Sequence, residues 1–296
     1  MGKFNIKFWG IRGSYPTPGD KFIKYGGNTT CLEIETEHSV LIFDAGTGII
    51  NLGKKLINED KFKNINLFFT HTHKDHTEGF SSFIPAYSGK YRINIYGAKF
   101  FDLGIKEVIS NSMTYTSFPI SFDEMSSLKF AVDIMETDII IKKVENDLPI
   151  VYNKFHSNYT SNENDIVIKV LRGYNHPKNG IIVYRIEHLG KSVVFATDVE
   201  SYSGTDKKLI EFSKNADILI HDAAYNEETY LKKQGWGHST PRMAALNAKD
   251  ANVNKLYLTH YDPEDTEDDI DQKLIEAKKI FKNSYLAYEN LEVSLI

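Results

Sequence analysis

The sequence contains only one cysteine, Cys31, among its 296 residues. A single cysteine cannot form an intramolecular disulfide, and it also excludes a metal site built from several cysteines. No stretch approaches about 18 consecutive apolar residues, so no membrane-spanning helix is expected. The opening residues, MGKFNIKFWGIRGS, lack the apolar stretch and the cleavage site of a signal peptide. We therefore expect a cytoplasmic protein without a membrane partner.

Positive charge is also scarce, since the formal net charge is -5. A protein whose main task is to grip a nucleic-acid backbone usually carries a clustered excess of Lys and Arg. We therefore expect no stable nucleic-acid partner. A small local basic patch is still compatible with this net charge, because net charge averages over the whole surface.

The apolar runs are short, rich in β-branched and aromatic residues, and mostly closed by Gly, Asn or Asp, which is typical of strands. The predicted strands are 4–10, 31–36, 39–45, 65–70, 93–97, 165–174, 181–187, 191–197, 217–222, 255–260 and 286–295. The predicted helices are 47–58, 240–251 and 265–282. Runs of strands with helices between them predict two packed mixed sheets with helices outside. No repeat or Pro/Gly linker divides the chain, so we expect one domain over 1–296, with a surface excursion within 113–164.

Four side chains of metal-ligand type follow a single apolar strand. The strand predicted at 65–70 runs into His71, His73, Asp75 and His76. Imidazole and carboxylate suit Zn²⁺ and its first-row neighbours. A strand end followed by a tight loop can direct all four side chains to one point. The chain has ten histidines, so this grouping indicates a metal site more than a polar loop that happens to be rich in histidine.

The pattern His71-x-His73-x-Asp75-His76 after a hydrophobic strand resembles the signature of the metallo-β-lactamase superfamily. Three more ligand positions follow in that family's order, each at the end of a predicted strand: His176 in LRGYNHP, Asp198 in KSVVFATD and His260 in KLYLTH. The resemblance covers nearly the whole chain. It implies an α/β fold, an αββα sandwich of two mixed β-sheets with helices on the outer faces.

The resemblance also implies two divalent metal ions, with zinc first and manganese or iron as alternatives. It implies the following ligands: His71, His73 and His176 for one ion, Asp75, His76 and His260 for the other, and Asp198 between them. Two such ions can share a hydroxide that attacks the scissile bond and can stabilise the leaving oxygen. Asp75 is accordingly expected to take part in catalysis as well as in metal binding.

The segment DILIHDAAYNEETYLKKQGWGHST, residues 217–240, is similar to a stretch of tRNA 3′-processing endonucleases and related phosphodiesterases. That resemblance implies that His238 is a catalytic acid or contacts phosphate, and that Asp222 orients it. Asp222 stands where those enzymes have glutamate, and its shorter side chain leaves a direct contact with His238 open. A structural role for His238 in the loop before the helix at 240–251 is the alternative.

The segments FWGIRGSYPTPG and KYGGNTTCLEIE are similar to a bacterial subgroup related to the cyclic phosphodiesterase of phosphonate breakdown and to cyclic-nucleotide phosphodiesterases. This implies that Arg12 contacts phosphate and that Asn28 and Thr29 line the substrate pocket. In the alternative, the glycines only form turns and Arg12 pairs with an acidic neighbour. Asp44, in FDAGTG, is expected to bond backbone amides near the metal loop.

We therefore predict a dinuclear, metal-dependent phosphodiesterase whose partner is a small substrate, above all a cyclic nucleotide. A tRNA 3′-processing endonuclease is the main alternative, disfavoured by the net charge and by the lack of a Gly- and Pro-rich arm. The segment GWGHST argues against a lactam or thioester hydrolase. The complete set of metal ligands argues against a sensing protein that has lost catalysis. We also expect a homodimer, because two-fold symmetric dimers are the commonest soluble oligomers.

Overall fold

The computed structural model describes residues 2–99, 102–146, 148–178, 180–202 and 204–296. These residues form fifteen strands and seven α-helices. The strands are β1 (Phe4–Gly10), β2 (Cys31–Thr36), β3 (Val40–Phe43), β4 (Asn64–Phe68), β5 (Arg92–Ala98), β6 (Leu128–Ile134), β7 (Asp138–Lys142), β8 (Ile150–Asn153), β9 (Ile166–Gly173), β10 (Ile181–His188), β11 (Lys191–Ala196), β12 (Ile218–Asp222), β13 (Lys255–Thr259), β14 (Ser284–Leu286) and β15 (Glu292–Ser294). The helices are α1 (Gly48–Glu59), α2 (Lys74–Thr77), α3 (Ile105–Ser112), α4 (Lys207–Ser213), α5 (Glu227–Lys233), α6 (Pro241–Asp250) and α7 (Glu267–Lys278).

The strands form two mixed sheets. The first has the order β15-β1-β2-β3-β4-β5-β6, and the second has the order β14-β13-β12-β11-β10-β9-β7-β8. In the first sheet, β3 to β6 are parallel to one another and the remaining pairs are antiparallel. In the second sheet, β11 to β14 are parallel and the remaining pairs are antiparallel. Each sheet therefore has one edge at which adjacent parallel strands end side by side.

Helices cover the outer face of each sheet. In the first sheet, α1 contacts β1 and β2, and α3 contacts β5 and β6. In the second sheet, α6 contacts β12 and β13, and α7 contacts β14. The predicted sandwich of two mixed sheets with outer helices is confirmed. Within the described ranges, no helix is both long and apolar enough to cross a membrane.

Alternation along the strands separates the layers of the core. In β3, Leu41 and Phe43 face the core between the sheets, whereas Val40 and Ile42 pack under the helices of the first sheet. The ring of Phe43 lies 5.3 Å from that of Tyr184 on β10, which joins the two sheets by aromatic packing. The Tyr184 hydroxyl donates a 2.7 Å hydrogen bond to the carbonyl of Phe69. This bond anchors the end of β4 to the second sheet.

Several elements differ from the sequence prediction. The strand predicted at 286–295 is two short strands in different sheets, because the chain turns at Asn290, whose φ is 67°, and crosses from β14 to β15. The segment 113–164 contains β6, β7 and β8, which the sequence analysis missed. Helices α2 to α5 were also missed, since each has eight residues or fewer and gives little periodic signal.

The start of α6 agrees with the prediction made from Ser239-Thr240-Pro241. The Thr240 side chain accepts a hydrogen bond from the Met243 backbone N–H, and Pro241 occupies the first turn. This cap defines where the helix begins and therefore defines the end of the preceding loop.

Glu35 on β2 lies in a cluster of ammonium groups that ties the outer face of the first sheet to α1. Its carboxylate is 2.8 Å from Lys3 Nζ, 2.8 Å from Lys61 Nζ and 3.2 Å from Lys55 Nζ, a residue of α1. Burial opposes the charge on Glu35, but the three ammonium groups outweigh it and lower the pKa of its carboxyl to about 2. The ionised form is therefore favoured in the folded state.

We expect Glu35→Gln to lower the free energy of unfolding by about 1–3 kcal/mol at pH 7. Because the folded-state pKa lies below the unfolded value of about 4.3, this stabilisation is present above that value and is lost as the pH falls toward 2. Urea unfolding at several pH values measures the difference between the two proteins. Glu37→Gln, at an exposed position, is the matched control. A difference that persists unchanged at about pH 2.5 would contradict the assignment.

Candidate metal centre

The predicted metal ligands lie at one edge of the sandwich, where strands of both sheets end. They are distributed as follows: His71, His73, Asp75 and His76 follow β4, His176 follows β9, Asp198 follows β11, and His260 follows β13. Strands β9, β11 and β13 run in the same direction, because two antiparallel steps separate β9 from β11 and two parallel steps separate β11 from β13. Their carboxyl ends therefore meet at the same edge, which is where open α/β sheets place ligands.

Four of these side chains form a buried ligand group: Asp75, His76, Asp198 and His260. His76 Nε2 lies 3.2 Å from Oδ2 of both Asp75 and Asp198. His260 Nε2 lies 3.3 Å from Asp75 Oδ2 and 3.1 Å from Asp198 Oδ2. A tetrahedral zinc ion with bonds of about 2.0–2.2 Å separates its ligand atoms by about 3.3–3.6 Å. The four atoms are therefore spaced much as the ligands of one small cation are.

The other three histidines form an open ligand group: His71, His73 and His176. His176 Nε2 lies 3.1 Å from His73 Nδ1. Asp198 Oδ1 is 3.8 Å from His71 Nε2 and 3.7 Å from His176 Nε2. Since Asp198 Oδ2 faces the buried group, this carboxylate stands between the two groups. His73 is exposed whereas His71 and His176 are buried, so the centre opens to solvent on the His73 side.

The imidazoles are oriented by hydrogen bonds on their outer sides. His71 Nδ1 is 3.2 Å from the Thr70 hydroxyl oxygen, and His176 Nδ1 is 3.1 Å from the Gly237 carbonyl oxygen. Such partners fix the ring orientation of a metal-binding histidine. Among the described residues, His71 Nε2 is buried without a hydrogen-bond partner. A buried nitrogen without a partner is costly, and a cation at the open ligand group would satisfy it.

The ionisation states in the cluster also suit a cation. Burial lowers the pKa of His71 well below its usual value and lowers the pKa of His176 to about 4. Both are therefore in the neutral form that binds metal. Burial opposes the charge of Asp75 and Asp198, but surrounding imidazoles outweigh it and hold the pKa of both carboxyls well below the usual range. Burial also opposes a charge on His76, but the carboxylates of Asp75 and Asp198 outweigh it and raise the pKa of this imidazole well above its usual value.

Asp44, directly after β3, supports the cluster from outside. Its buried carboxylate accepts 2.8 Å hydrogen bonds from the Thr70 backbone N–H and from the Thr70 hydroxyl. It also lies 2.9 Å from His76 Nδ1. Asp44 therefore bonds the backbone beside the metal loop, as expected from the sequence, and in addition orients one imidazole of the buried group.

The Asp222 carboxylate contacts His238 directly, which the sequence left open. Asp222 Oδ2 lies 2.8 Å from His238 Nδ1. The His238 ring stacks on that of His260, with centroids 5.1 Å apart, and it meets the ring of His176 edge-on at 5.2 Å. Burial opposes a charge on His238, but Asp222 outweighs it and raises the pKa of the imidazole to about 9. His238 therefore lies beside both ligand groups.

Comparison with known proteins identifies the family. A family model described as a β-lactamase superfamily domain matches residues 39–261, a range that contains every predicted metal ligand. The chain belongs to the β-lactamase superfamily. Its relatives include a ribonuclease Z of Picrophilus torridus, 29% identical over an alignment that covers 99% of this chain and 96% of the relative.

Solved structures of the superfamily share the fold. The metallo-β-lactamase fold protein YhfI from Bacillus subtilis superposes with a TM-score of 0.68 at 19% identity, covering 99% of this chain and 100% of that one. The short form of human tRNase Z superposes with a TM-score of 0.63 at 18% identity, covering 99% of each chain. The resemblance to the metallo-β-lactamase superfamily stated from the sequence is confirmed. The superfamily fold together with the His/Asp cluster indicates a site for divalent metal.

One expectation from the composition is wrong. The net charge led us to expect no stable nucleic-acid partner, but the superfamily relatives that align over almost the whole chain are named ribonuclease Z. A formal charge of -5 describes the average surface and does not describe the surroundings of the site. The inference from net charge to partner class therefore failed.

The structure gives Arg12 a structural position. Its side chain is fully buried, and its guanidinium donates to the backbone carbonyls of Gly26, Asp262 and Asp265 at 3.1 Å each. All three acceptors are backbone oxygens and not acidic side chains, and the phosphate contact implied for Arg12 stays a prediction. The guanidinium ties the N-terminal loop to the segment after β13. The sequence showed a Gly-rich turn but not the face to which its arginine points.

Asn28 and Thr29 are also engaged within the fold. The backbone N–H and the side-chain amide of Asn28 donate to the Glu289 carboxylate at 2.6 and 2.9 Å. The buried hydroxyl of Thr29 donates to Glu78 at 3.0 Å and accepts from the Thr47 backbone N–H at 2.8 Å. These bonds hold the start of β2 in place, and the predicted contact of Asn28 and Thr29 with substrate stays a prediction.

The N-terminal loop reaches the metal centre through residues that the sequence analysis did not select. The Ser14 backbone N–H donates a 2.7 Å hydrogen bond to Asp75 Oδ2. A Cβ atom on Gly13 would lie 2.3 Å from His260 Cε1, so only glycine allows the loop to approach this closely. Gly13 in FWGIRGS was the available signal in the sequence, since glycine often marks a close approach of the backbone to another group.

We expect Asp44→Asn to lower metal affinity about 10–100-fold with the fold retained, because His76 loses an anionic partner. Competition between the protein and a fluorescent chelator measures the affinity. Asp250→Asn, an exposed carboxylate at the end of α6, is the control and should bind metal as the unchanged protein does. Unchanged affinity in Asp44→Asn would show that this carboxylate does not tune the site.

Proposed function

We propose that the protein is a metal-dependent hydrolase of phosphodiester bonds and that its substrate is the 3′ region of precursor tRNA. The observation that carries the proposal is the 2.8 Å contact between Asp222 and His238, set beside two ligand groups that share Asp198. The ribonuclease Z relatives, which align over almost the whole chain, support RNA as the substrate.

The ligand groups fit two divalent ions, and zinc suits their imidazole and carboxylate donors best, with manganese and iron as alternatives. The open group would hold one ion and the buried group the other, with Asp198 contributing one oxygen to each. When bound, such ions neutralise charge on phosphate oxygens and favour ionisation of an attacking water. Asp75, which accepts the Ser14 N–H, keeps the buried group in position.

His238 would act as the general acid. Asp222 holds its Nδ1, and Nε2 is at the opposite side of the ring, available to a substrate. In the proposed step, Nε2–H donates its proton to the departing ribose oxygen as the P–O bond breaks. Asp222 stabilises the imidazolium before the transfer and holds the ring in place during it.

The rim of the centre offers groups that suit RNA. Lys74 is exposed between His73 and Asp75, and Lys178 is exposed two residues after His176. Trp236 is 59% exposed two residues before His238. Cations bind phosphates and aromatic faces stack on bases, so these side chains can contact a strand whose scissile bond lies at the centre.

Small phosphodiesters are the second candidate, with 3′,5′- or 2′,3′-cyclic nucleotides first. The contact between Asp222 and His238 beside the two ligand groups supports this candidate as well, because it serves the scissile bond and does not depend on a longer strand. The chemistry proposed for His238 is the same for both substrate classes, because each leaves a ribose oxygen to be protonated.

A substrate panel tests the proposal. It contains precursor tRNA with a 3′ trailer, both kinds of cyclic nucleotide, a bis-aryl phosphodiester, a β-lactam and a thioester. We expect release of the trailer, loss of activity with chelator and recovery with zinc. Asp198→Ala, which removes the carboxylate shared by the two groups, should lose metal and activity together. Activity on the lactam or thioester alone would refute the proposal, and activity on cyclic nucleotides alone would favour the second candidate.

We expect His238→Ala to keep its metal content and to lower kcat on precursor tRNA about 10²–10⁴-fold. The bis-aryl phosphodiester should lose far less, because an aryl oxide needs little protonation as it leaves. Steady-state kinetics on both substrates, with metal analysis of each preparation, gives the comparison. His38→Ala, at an exposed position, is the control. Equal losses on the two substrates would rule out the acid role.

A further inference from the structure

Glu200 is a buried carboxylate that the steps proposed above do not use. It lies two residues after Asp198, and it is 1% exposed. Its Oε1 accepts hydrogen bonds from the Gly235 backbone N–H at 2.8 Å and from the Tyr230 hydroxyl at 3.0 Å. Its Oε2 accepts from the N–H of Gly235 at 3.1 Å and from the N–H of Gly237 at 2.9 Å. A buried carboxylate persists only when donors compensate its lost hydration, and here most of the donors come from a single loop.

That loop, residues 234–238, follows α5 and ends at His238. Gly235 and Gly237 have φ values of 89° and 93°, a region that favours glycine. With these two conformations, both N–H groups are directed at the same carboxylate. The indole of Trp236, between the two glycines, is exposed. The Glu200 carboxylate therefore provides the inner support for a loop whose other side faces solvent.

The same loop contacts both parts of the site. The Gly237 carbonyl lies 3.1 Å from His176 Nδ1, so it orients one imidazole of the open ligand group. A Cβ atom on Gly237 would lie 2.1 Å from that nitrogen. The next residue is His238, and the Ser239 N–H donates to Asp222 Oδ1 at 3.1 Å. A displacement of this loop would therefore move the histidine that supplies the proton.

We propose that Glu200 is a positioning residue that holds the loop 234–238 so that His238 faces the leaving group. The role given to His238 rests on the proposed function, but the support of the loop by Glu200 does not. Asp222 orients the His238 ring through its side chain, whereas Glu200 positions the backbone that carries it. Glu200 follows Asp198 closely after the end of β11. Its bonds to the loop 234–238 therefore keep the distance between Asp198 and His238 constant.

Glu200→Gln is the main test, because the amide keeps the shape but presents an N–H₂ group to one of the loop N–H donors. We expect a 10–100-fold loss of kcat on precursor tRNA, with KM changed less than threefold and at most a fewfold loss on the bis-aryl phosphodiester. The double variant Glu200→Gln/His238→Ala should be no slower on RNA than His238→Ala alone, since both changes remove the same proton donation. Glu211→Gln, an exposed carboxylate of α4, is the matched control.

A second readout needs no substrate. The chain has two tryptophans, and Trp9→Phe leaves Trp236 as the only indole. In that background, time-resolved fluorescence anisotropy should decay with overall tumbling when Glu200 is present. Glu200→Gln should add a nanosecond component from loop motion. Tyr230→Phe, which removes only one donor to Glu200, should give a smaller effect of the same kind and also tests the proposal if Glu200→Gln does not fold.

The outcomes separate this inference from the proposed function. Equal losses on RNA and on the aryl diester, or losses that add to those of His238→Ala, would overturn the positioning role. An unchanged anisotropy decay in Glu200→Gln and in Tyr230→Phe would also overturn it. If no substrate in the panel is cleaved and the nanosecond component still appears, the proposed function fails while the support of the loop by Glu200 stands.

Discussion

The site depends most on the buried carboxylate of Asp222, because it joins segments that are distant in the sequence. Its Oδ1 accepts hydrogen bonds from the backbone N–H groups of Ala224 and Ser239, at 2.9 and 3.1 Å. Its Oδ2 accepts from the Asp198 N–H at 3.1 Å and contacts His238 Nδ1 at 2.8 Å. A buried carboxylate is tolerated only when such donors surround it. The segments that carry the candidate ligand Asp198 and the candidate acid His238 must therefore assemble around it together.

The strand ends at the site adopt a backbone conformation that is uncommon for side chains other than glycine. Asp44, Asp198 and His260 have φ values of 64°, 53° and 60°. Residues with such positive φ values cost free energy and cluster at functional sites. Here the left-handed turn directs each side chain across the end of its strand toward the cluster. Packing between the sheets, including the contact of Phe43 with Tyr184, holds those strand ends in place.

The structure brings the side chains proposed as metal ligands together in two groups. The cluster after β4 could be recognised from its local pattern, whereas His176, Asp198 and His260 were selected through the resemblance to the family. Each follows an apolar run, and the carboxyl ends of strands that run in the same direction collect at one edge. The contacts of Arg12, Asn28 and Thr29 could not be predicted, because a turn sequence does not show whether its polar groups face substrate or backbone. Only the three-dimensional contacts place Arg12 against three carbonyl oxygens.

Other features could not be predicted because they arise from contacts between distant segments. Glu200 bonds the N–H groups of Gly235 and Gly237, 35 and 37 residues later, and no local motif marks such a pairing. The strands of 113–164 alternate weakly, since β6 and β8 are exposed or half-buried along almost their whole length and β7 is buried throughout. The nature of the partner was misjudged because the net charge does not describe the local surroundings of the site.

The positions of β6 and β8 have a consequence for how this scaffold can change. Each is the last strand of its sheet, whereas every candidate metal ligand follows a strand in the interior of a sheet. β6 and β8 can therefore lengthen or shorten at the outer ends of the sheets, whereas β7, between them in the sequence, pairs with β9, the strand before His176. In this scaffold, the outer edges of the sheets are therefore the places where length can change while the interior strand ends that carry the candidate ligands keep their positions.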